Sequence, residues 1–566
     1  MELIIDGIHV QAMPDESLRS ILKRMELDKT DILRAPLAAK IAGEVFNLNY
    51  VPLRSKDQNA DRSSIRAAMA ASGGVVQLLR ITDPTGWEVY ERTAQYVLFL
   101  AIHQLWPKEI AKMGCTLGPA LYIKINKQGQ FLDLLRSKLQ ELIEADIPLV
   151  RTRSTTEEAM ALFRSMGNLD KAELLRWRKA KHFDLYKVGS FADYHYGELA
   201  PSTGCLRVWE LKPTDGGFLF VFPDRNDPTK VGSLENMPNF FSVFSEGDRW
   251  GQLMECQTVS DLNRLTVSGG IRELIRVNEA LHEKRYAQVA DAVCARGCRA
   301  VMLAGPSSSG KTTSAHRLAT QMRVHGKKPI LMSLDDYYID RDKCPRDESG
   351  ELDLEHINTI DTDLFGQHLA MLFDGQQVQI PCFNFKTGKR EWMGHMLSLE
   401  ENSVIIVEGL HALNPVLLPP QLDKSLVFRM YVSPLLPLNL DDHNRIPTSY
   451  LRLLRRTVRD IESRGTSVAR TMAMWDSVRR GEVKWIFPYQ EHADVIFNSS
   501  TLYELAVLKK HIYPLLTAIG PEDSCYEQVR GMVKVLNYVL DADVDDEIPP
   551  TSLVREFIGG NTFYKA

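Results

Sequence analysis

Short apolar runs recur through the second half of the chain, and segments of helical length separate them. Uninterrupted apolar runs of this kind are typical of buried strands. Their alternation with helices predicts a parallel sheet with helices on both faces, and therefore an α/β fold, over residues 291–515. We predict strands at 299–304, 329–334, 378–381, 403–408, 427–432 and 493–498.

The first half of the chain has a different pattern. Two short apolar runs flank Asp6-Gly7, which is a hairpin turn signal, and Ser17 to Met25 is predicted to be a helix. A polar stretch at 57–66 is interpreted as a linker. The resulting prediction is a small α+β domain at 1–62, a second α+β domain at 63–245, a helical connector at 246–290, the α/β domain at 291–515 and a helical tail at 516–566.

A glycine-rich loop follows the first predicted strand of the α/β domain. Residues 305–312 read Gly-Pro-Ser-Ser-Ser-Gly-Lys-Thr and match G-x-x-x-x-G-K-[ST], a pattern whose backbone amides cradle a polyphosphate. A predicted strand before it and a helix after it make a chance Gly/Ser loop the weaker interpretation. ATP and Mg²⁺ are the predicted cofactors. The predicted nucleotide-binding residues are Gly305, Ser307, Ser308, Ser309, Gly310, Lys311, Thr312 and Thr313.

Carboxylates end two of the predicted strands. Glu408 ends an apolar strand, an arrangement that holds Mg²⁺ or its waters beside such a loop, so Thr312 and Glu408 are the predicted metal residues. Asp335 and Asp336 end the strand after the loop, at the edge where open α/β sheets bind ligands. A carboxylate there can accept the proton of an attacking hydroxyl. Helix capping or a turn is the alternative role for both aspartates.

Four arginines are spaced i, i+3, i+4 and i+7, which places them on one helix face: Arg452, Arg455, Arg456 and Arg459. Guanidinium groups bind phosphate oxygens bidentately. The face is predicted to close over phosphates, and a solvated charged face is the alternative.

Composition narrows the function classes. A net charge of −5 over 566 residues gives no whole-chain reason to expect a nucleic-acid partner. Eight scattered cysteines fit buried thiols in a reducing compartment. The start of the chain lacks the basic segment of a signal peptide, and the apolar runs fall short of the ~20 residues of a membrane span. We expect a cytoplasmic protein without a membrane partner; the oligomeric state stays open.

From about 299 to 500 the chain resembles the uridine kinase/phosphoribulokinase family. The matching pieces are Gly305–Thr313, Ser333–Tyr338, Gln379–Phe385, Val407–Gly409 and Arg455–Gly465. The resemblance implies that Asp335 is the general base for a sugar hydroxyl and that Arg456, Arg459 and Arg464 are lid arginines. The predicted catalytic residues are Asp335, Lys311, Arg456 and Arg459, and the predicted substrate-binding residues are Asp336, Tyr338, Glu355, Phe383, Phe385 and Arg464.

The chain departs from the family pattern where a pyrimidine base would be read. An aromatic hydroxyl and a histidine are replaced by Phe383 and Gly388, a glutamine by Met474, and the last lid arginine by Thr466. A site that has lost its hydrogen-bonding groups discriminates less steeply. We therefore expect altered base recognition.

Residues 1–62 resemble the TGS domain, a β-grasp module, and the next region resembles the second additional domain of threonyl-tRNA synthetase. Phe183–Asp193 and Pro201–Gly204 carry most of the second resemblance. The metal-ligand places of that domain hold Arg92, Tyr96, His195 and Leu199. Metal binding and editing-type hydrolysis are therefore predicted to be lost.

Together these features predict ATP- and Mg²⁺-dependent phosphorylation of a nucleoside 5′-hydroxyl. One alternative is a kinase of another small alcohol. Another is an RNA- or ribosome-associated regulatory NTPase, because relatives of the N-terminal domains meet RNA; the acidic balance argues against it. RNA contact is otherwise unsupported.

Overall fold

The structure is a computed structural model that describes residues 2–563, apart from 14, 29–30, 42, 52–72, 128, 179, 348–349 and 521. The predicted linker at 57–66 and the predicted boundary after residue 62 lie outside the described residues. The chain forms two compact units. The first comprises Met1–Asn236 with Asn439–Arg445, and the second comprises Met237–Leu438 with Ile446–Ala566.

Within its described residues, the first unit begins with a five-stranded mixed sheet and a short helix, α1 (Leu18–Arg24). Its strands are β1 (Glu2–Ile5), β2 (Ile8–Gln11), β3 (Ala38–Ile41), β4 (Glu44–Phe46) and β5 (Val75–Leu79), in the order β2-β1-β5-β3-β4. The predicted hairpin is confirmed, because β1 and β2 pair antiparallel around Asp6 and Gly7. Both turn residues have positive φ angles, of 45° and 84°, as a tight hairpin turn requires. The Ser17 side chain caps α1 by accepting from the Ser20 amide.

Among its described residues, the rest of the first unit contains two antiparallel sheets and four helices, of which the first two share a hydrophobic core with residues of both sheets. The helices are α2 (Pro84–Leu105), α3 (Phe131–Glu144), α4 (Thr156–Ser165) and α5 (Leu169–Arg176). One sheet has the order β11-β12-β7-β6, built from β6 (Lys112–Leu117), β7 (Ala120–Lys124), β11 (Glu210–Thr214) and β12 (Gly217–Val221). The other has the order β10-β9-β8, built from β8 (Arg151–Thr155), β9 (His182–Val188) and β10 (Phe191–Asp193). A later hairpin, β21 (Asn439–Asp441) and β22 (Asn444–Arg445), belongs to this unit.

A five-stranded parallel sheet forms the centre of the second unit, which confirms the α/β prediction. Its strands are β13 (Ala300–Ala304), β14 (Lys328–Ser333), β19 (Ser403–Glu408), β20 (Val427–Ser433) and β23 (Val495–Asn498), in the order β14-β19-β13-β20-β23. Every residue of the central β13 is buried, because helices cover both faces of a parallel sheet. These apolar strands place their carboxyl ends, and the polar residues that follow them, at one edge.

The helices of the second unit precede, alternate with and follow these strands. They are α6 (Pro238–Leu253), α7 (Val259–Ser268), α8 (Ile271–Ala295), α9 (Lys311–Val324), α10 (Thr362–Phe373), α11 (Thr448–Arg464), α12 (Val468–Trp485), α13 (Glu504–Thr517), α14 (Tyr526–Leu536) and α15 (Arg555–Ile558). None of the described helices has the length and apolar character that crossing a membrane requires.

The predicted strand at 378–381 was wrong as a member of the parallel sheet. Only β15 (Val378–Gln379) is extended there, and it pairs antiparallel with β18 (Met396–Leu397) in a separate two-stranded ribbon. Pro381 lacks the amide that a central strand needs, so the run cannot continue as a sheet ladder. A second ribbon follows, formed by β16 (Cys382–Asn384) and β17 (Lys389–Glu391).

Candidate active site

The glycine-rich loop joins β13 to α9 at the carboxyl edge of the parallel sheet. Ser308 and Gly310 have left-handed backbone angles, with φ of 59° and 86°. A Cβ added at Gly305 would lie 2.2 Å from the Val432 carbonyl oxygen, and one at Gly310 would lie 2.7 Å from Leu553 Cδ2. Both glycines are therefore needed for the loop to take this path. Because α9 begins at Lys311, the positive end of its dipole lies at the loop.

Polar groups in the loop lack partners within the described residues. The buried hydroxyls of Ser308 and Ser309 have no hydrogen-bond partner there. Lys311 Nζ donates to the Pro306 carbonyl at 3.2 Å. Burial lowers the pKa of Lys311, while Glu408 and Asp335 oppose that change. A buried cation and unsatisfied donors gathered at a helix N-terminus suit a polyphosphate.

Glu408 lies beside the loop at the end of β19. Its Oε1 accepts from Thr312 Oγ1 at 3.4 Å and from Ser333 Oγ at 3.3 Å. Burial raises the pKa of Glu408 to about 7, with Asp335 adding to the rise and Lys311 opposing it. A cation would favour the ionised carboxylate, and oxygen donors of this kind suit Mg²⁺. Sequence reasoning missed Ser333, although it directly precedes the two predicted acidic residues.

Asp335 and Asp336 lie in a 3₁₀ turn, Leu334–Tyr337, that directly follows β14. Burial raises the pKa of Asp335, and its opposing partners are Lys311, Arg464 and Arg459. Burial also raises the pKa of Asp336, but there the main opposing contact is a hydrogen bond with the Phe383 backbone. Asp335 is thus electrostatically linked to Lys311 at the end of the loop, and Asp336 to the neighbouring ribbon.

Glu355 joins this group of acidic residues from the segment before α10. Burial raises its pKa to about 7, with Glu482 adding to the rise and Arg456 and Lys311 opposing it. Its Oε2 is buried and has no hydrogen-bond partner among the described residues. An unpaired acceptor in such a site suits a hydroxyl of a bound ligand.

Three predicted aromatic residues form a cluster next to these carboxylates. The Tyr338 ring lies edge-on to Phe383 and Phe385, with centroid distances of 5.5 and 6.3 Å. The Phe383 and Phe385 rings are 5.1 Å apart. Burial raises the pKa of Tyr338, and Asp335 and Glu355 add to the rise. Phe385 is 57% exposed, so it offers an open aromatic surface at the site.

The arginine face of α11 divides into two pairs with different contacts. Arg452 and Arg455 are buried: Arg452 Nε donates to the Ser307 carbonyl at 2.9 Å, and Arg455 pairs with Glu504 at 2.7 Å. Arg456 Nη1 donates to Ser307 Oγ at 2.9 Å, and Arg459 pairs with Asp460 at 3.1 Å. The first pair holds the loop in place, and the second lies at the site. Arg464, near the end of the helix, contacts Asp460 at 3.6 Å.

Two carboxylates that sequence reasoning missed contact the loop. Glu482 on α12 is fully buried, pairs with Arg452, and accepts from the Ser307 amide at 3.1 Å. Glu556 on α15 accepts from Thr313 Oγ1 at 2.7 Å and from the Thr313 amide at 3.4 Å. Both are far from the loop in sequence, and tertiary folding alone brings them there, so no motif spacing could have identified them.

The residue that replaces a family histidine, Gly388, turns the chain between β16 and β17. Its φ is 69°, and a Cβ added there would lie 3.0 Å from Arg341 Cβ. A histidine at this position would be strained as well as crowded. Restoring that side chain is therefore incompatible with this backbone.

In the first unit the four predicted replacements of metal ligands lie near one another. Arg92 Nε donates to the Glu198 carbonyl at 3.2 Å, one residue before the buried Leu199. The ring of Tyr96 lies 6.1 Å from that of His195. Burial lowers the pKa of His195 to about 4. The loss of metal chemistry stays a prediction.

A parallel sheet, a strand–loop–helix phosphate cradle and a carboxylate on the adjacent strand define the P-loop class of proteins. The sequence profile described as "Phosphoribulokinase / Uridine kinase family" matches residues 300–506. The uridine kinase of Vibrio atlanticus is 30% identical over 224 residues, which are 39% of this chain and 96% of that protein. The chain belongs to the phosphoribulokinase/uridine kinase family.

Two further similarities concern the N-terminal part and the fold. The threonine–tRNA ligase of Syntrophotalea carbinolica is 28% identical over 159 residues, which are 26% of this chain and 24% of that protein. A solved structure described as a possible uridine kinase from Bacillus stearothermophilus is 19% identical and aligns with 38% of this chain and 97% of its own, at a TM-score of 0.26.

Proposed function

We propose that this protein transfers the γ-phosphoryl group of ATP to the 5′-hydroxyl of a nucleoside, in a reaction that needs Mg²⁺. The observation that carries the proposal is the convergence of Lys311, Glu408 and Asp335 at one edge of the sheet, where Lys311 opposes the rise in the pKa of both carboxylates and Asp335 adds to the rise in the pKa of Glu408. Phosphoryl transfer to an alcohol requires a cation for the phosphates, a metal ligand and a base in one site, and these three residues could fill those roles.

The residues fit the phosphoryl donor and its metal ion. Ser308 and Ser309 have buried hydroxyls without a hydrogen-bond partner in the described part of the chain, and Lys311 supplies a cation at the start of α9. Thr312 and Glu408 already share a hydrogen bond, and both have oxygen ligands for Mg²⁺. When bound, Mg²⁺ neutralises charge on the phosphate oxygens.

The remaining residues orient the acceptor. Asp335 would take the proton from the acceptor hydroxyl, while Lys311, Arg456 and Arg459 stabilise negative charge on the transferring group. Glu355 Oε2, which is unpaired among the described residues, would accept from a hydroxyl of the sugar. Arg464 and Asp336 border the same site.

The base would lie against the aromatic cluster. Phe385 offers an exposed ring, and Phe383 and Gly388 carry no side-chain group that could hydrogen-bond a base edge. Stacking accepts many bases, whereas hydrogen bonds to base edges select among them. We therefore propose weaker discrimination between uridine and cytidine than the family norm, or a preference for another nucleoside.

Product analysis tests this proposal. The full chain is incubated with ATP, Mg²⁺ and a panel of pyrimidine nucleosides, purine nucleosides and small alcohols, and phosphorylated products are identified by mass. A nucleoside 5′-monophosphate is expected. Phosphorylation of a small alcohol alone would favour the first alternative, which the lack of base-reading groups supports. ATP turnover that needs RNA and no acceptor would favour a regulatory NTPase, which the similarity to a tRNA ligase supports.

Lys311→Ala tests the site itself. The variant should lose at least about 10²-fold in turnover, because the loop no longer places a cation at the transferring phosphoryl group. The matched control is Lys328→Ala, which removes an exposed lysine paired with Glu400 and should leave turnover unchanged. Wild-type turnover in a folded Lys311→Ala variant would place the active site elsewhere.

A further inference from the structure

The last described segment of the chain, residues 559–563, contacts helix α9. Gly559 and Gly560 have φ angles of 82° and 76°, so they turn the chain sharply after α15. The family match ends at residue 506, and family membership therefore does not account for this segment. None of the residues assigned to the proposed reaction belongs to it.

Asn561 holds this segment to the start of α9. Its side-chain amide donates to Thr313 Oγ1 at 3.5 Å, and its side-chain oxygen accepts from the Phe563 amide at 2.8 Å. Thr313 directly follows Thr312 and is one of the predicted nucleotide-binding residues. A single side chain thus connects the end of the glycine-rich loop to Phe563.

The ring of Phe563 stacks on His316, one turn further along α9 than Thr313. The two ring centroids are 5.3 Å apart, and the ring planes differ by 18°. Both residues are half-buried, so part of each stays open to solvent. Burial lowers the pKa of His316, with Arg323 adding to the change, and the imidazole is therefore neutral near pH 7.5. A neutral, nearly parallel ring pair is the kind of surface on which a base stacks.

The ring pair lies on the path that a bound nucleotide would take. In loops of this type the lysine reaches the β- and γ-phosphates, and the neighbouring amides hold the α- and β-phosphates. Thr313 is therefore the next donor towards the α-phosphate, beyond Lys311 and Thr312. The base is joined to the α-phosphate through the ribose, and His316 lies only about 4.5 Å beyond Thr313 along the helix axis. The ring pair is thus within reach of the base.

We propose that Phe563, backed by His316, is the surface on which the base of the nucleoside triphosphate donor stacks. This inference rests on the proposed function, because it assumes that the phosphates of the donor occupy the glycine-rich loop. Stacking is tolerant of the base, since every base has a flat face. ATP and GTP should therefore gain similar affinity from this contact.

Binding of β,γ-imido-ATP and of inorganic tripolyphosphate tests the proposal. Both ligands carry a chain of three phosphorus atoms, but only the first has a base. Each is titrated calorimetrically into the full chain with Mg²⁺ and without an acceptor. Phe563→Leu keeps an apolar side chain but removes the ring, so it should weaken β,γ-imido-ATP at least about fivefold and leave tripolyphosphate binding unchanged. β,γ-imido-GTP should show the same loss as β,γ-imido-ATP.

Two control variants separate the ring from the rest of the segment. Phe563→Tyr keeps the ring and should bind β,γ-imido-ATP like the wild type. Thr562→Ala changes the exposed neighbouring residue and should also have no effect. The proposal is overturned if Phe563→Leu binds β,γ-imido-ATP like the wild type, or if it weakens both ligands equally.

The same titrations distinguish a failure of this proposal from a failure of the proposed function. If the wild type binds neither ligand, the loop is not a phosphate site and both are overturned. If no nucleoside 5′-monophosphate is formed but Phe563→Leu still weakens only the ligand with a base, the stacking surface is supported and the acceptor alone was wrong.

Discussion

Three buried carboxylates at the sheet edge hold protons more tightly than carboxylates in water. Burial raises the pKa of Glu408 and of Glu355 to about 7, and it raises the pKa of Asp335 as well. The cause is shared: burial raises the pKa of each carboxyl group, and Lys311 opposes the rise at all three. Binding of cations and hydroxyl donors should therefore release protons.

Asp335→Asn should lower turnover by about 10²–10⁴-fold, the usual contribution of a general base, with little change in ATP affinity. The amide keeps the size of the side chain but cannot accept the proton. Asp336→Asn is the comparison variant at the neighbouring carboxylate, which interacts with the Phe383 backbone, and it should affect acceptor binding more than turnover. Steady-state kinetics on both variants checks this. If Asp336→Asn loses turnover and Asp335→Asn keeps it, the two roles are reversed.

The raised pKa of Glu408 predicts a pH-dependent metal affinity. Mg²⁺ binds the ionised carboxylate, so its affinity should rise with pH and level off above about 7, falling by about tenfold per pH unit well below that value. Fluorescence-detected Mg²⁺ titrations with a non-hydrolysable ATP analogue, from pH 5.5 to 8.5, measure this dependence. Glu408→Gln should bind Mg²⁺ weakly and lose most of the dependence. A flat wild-type profile would contradict the role of Glu408.

The raised pKa values of Glu408 and Glu355 also make folding stability depend on pH, but stability should fall as pH rises, whereas metal affinity should increase. A carboxyl group whose pKa is raised by folding contributes stability below its unfolded pKa of about 4.3, and this contribution is lost as pH rises through about 7. The ligand-free protein should therefore lose the contribution of Glu408 and Glu355 over that range. Bound Mg²⁺ would restore stability by binding the ionised form.

At the scale of elements, the phosphate loop is held by helices from distant parts of the sequence. Helix α11 fixes the Ser307 carbonyl through Arg452, α12 accepts the Ser307 amide through Glu482, and α15 contacts Thr313 through Glu556. These contacts tie the loop to three helices that lie far from it in sequence. Glu556 differs from the others, because its carboxylate also raises the pKa of Lys311 and of Glu408 and so acts on the two groups proposed to bind phosphate and metal.

Glu556→Gln should therefore lower the KM for ATP by roughly threefold to tenfold, because it removes a negative charge from the phosphate site and weakens its hold on Thr313. The matched control is Glu547→Gln in the preceding turn, whose carboxylate pairs with Arg276 at 2.6 Å. Initial rates at varied ATP concentration measure both variants. An unchanged or higher KM in Glu556→Gln would show that α15 supports nucleotide binding.

The pattern of apolar and polar residues along the chain correctly predicted the strands and the loop that carry the proposed chemistry. It failed where the structure depends on contacts between segments that are far apart in the sequence. The apolar run before the loop, the loop itself and the strand ending in Glu408 form as predicted, because buried parallel strands need continuous apolar residues. The run at 378–381, Val-Gln-Ile-Pro, was predicted to be a strand of the same sheet, yet it contains Pro381 and pairs with β18 in a separate ribbon. The contacts that Glu482, Glu556 and Phe563 make with the loop and with α9 have no local signature.

At the scale of the whole molecule, the family match covers only part of the chain. The relatives that share the kinase region account for 39% of it, and the first unit lies largely outside that region. In this unit Arg92, Tyr96, His195 and Leu199, which occupy the places of the predicted lost metal ligands, lie near one another. A Cβ added at Gly197 would lie 2.6 Å from Arg92 Cζ, so the guanidinium fills the space beside the chain there.

The purified full chain should therefore contain no stoichiometric zinc. Arg92 is a cation that repels metal ions, Tyr96 and Leu199 are buried, and the burial-lowered pKa of His195 leaves one neutral imidazole where a structural or catalytic site needs three or four ligands. Elemental analysis after gel filtration measures the metal content, and His195→Ala is the internal control, which should not change it. About one zinc per chain that survives mild chelation and is lost in His195→Ala would show that these residues still form a metal site.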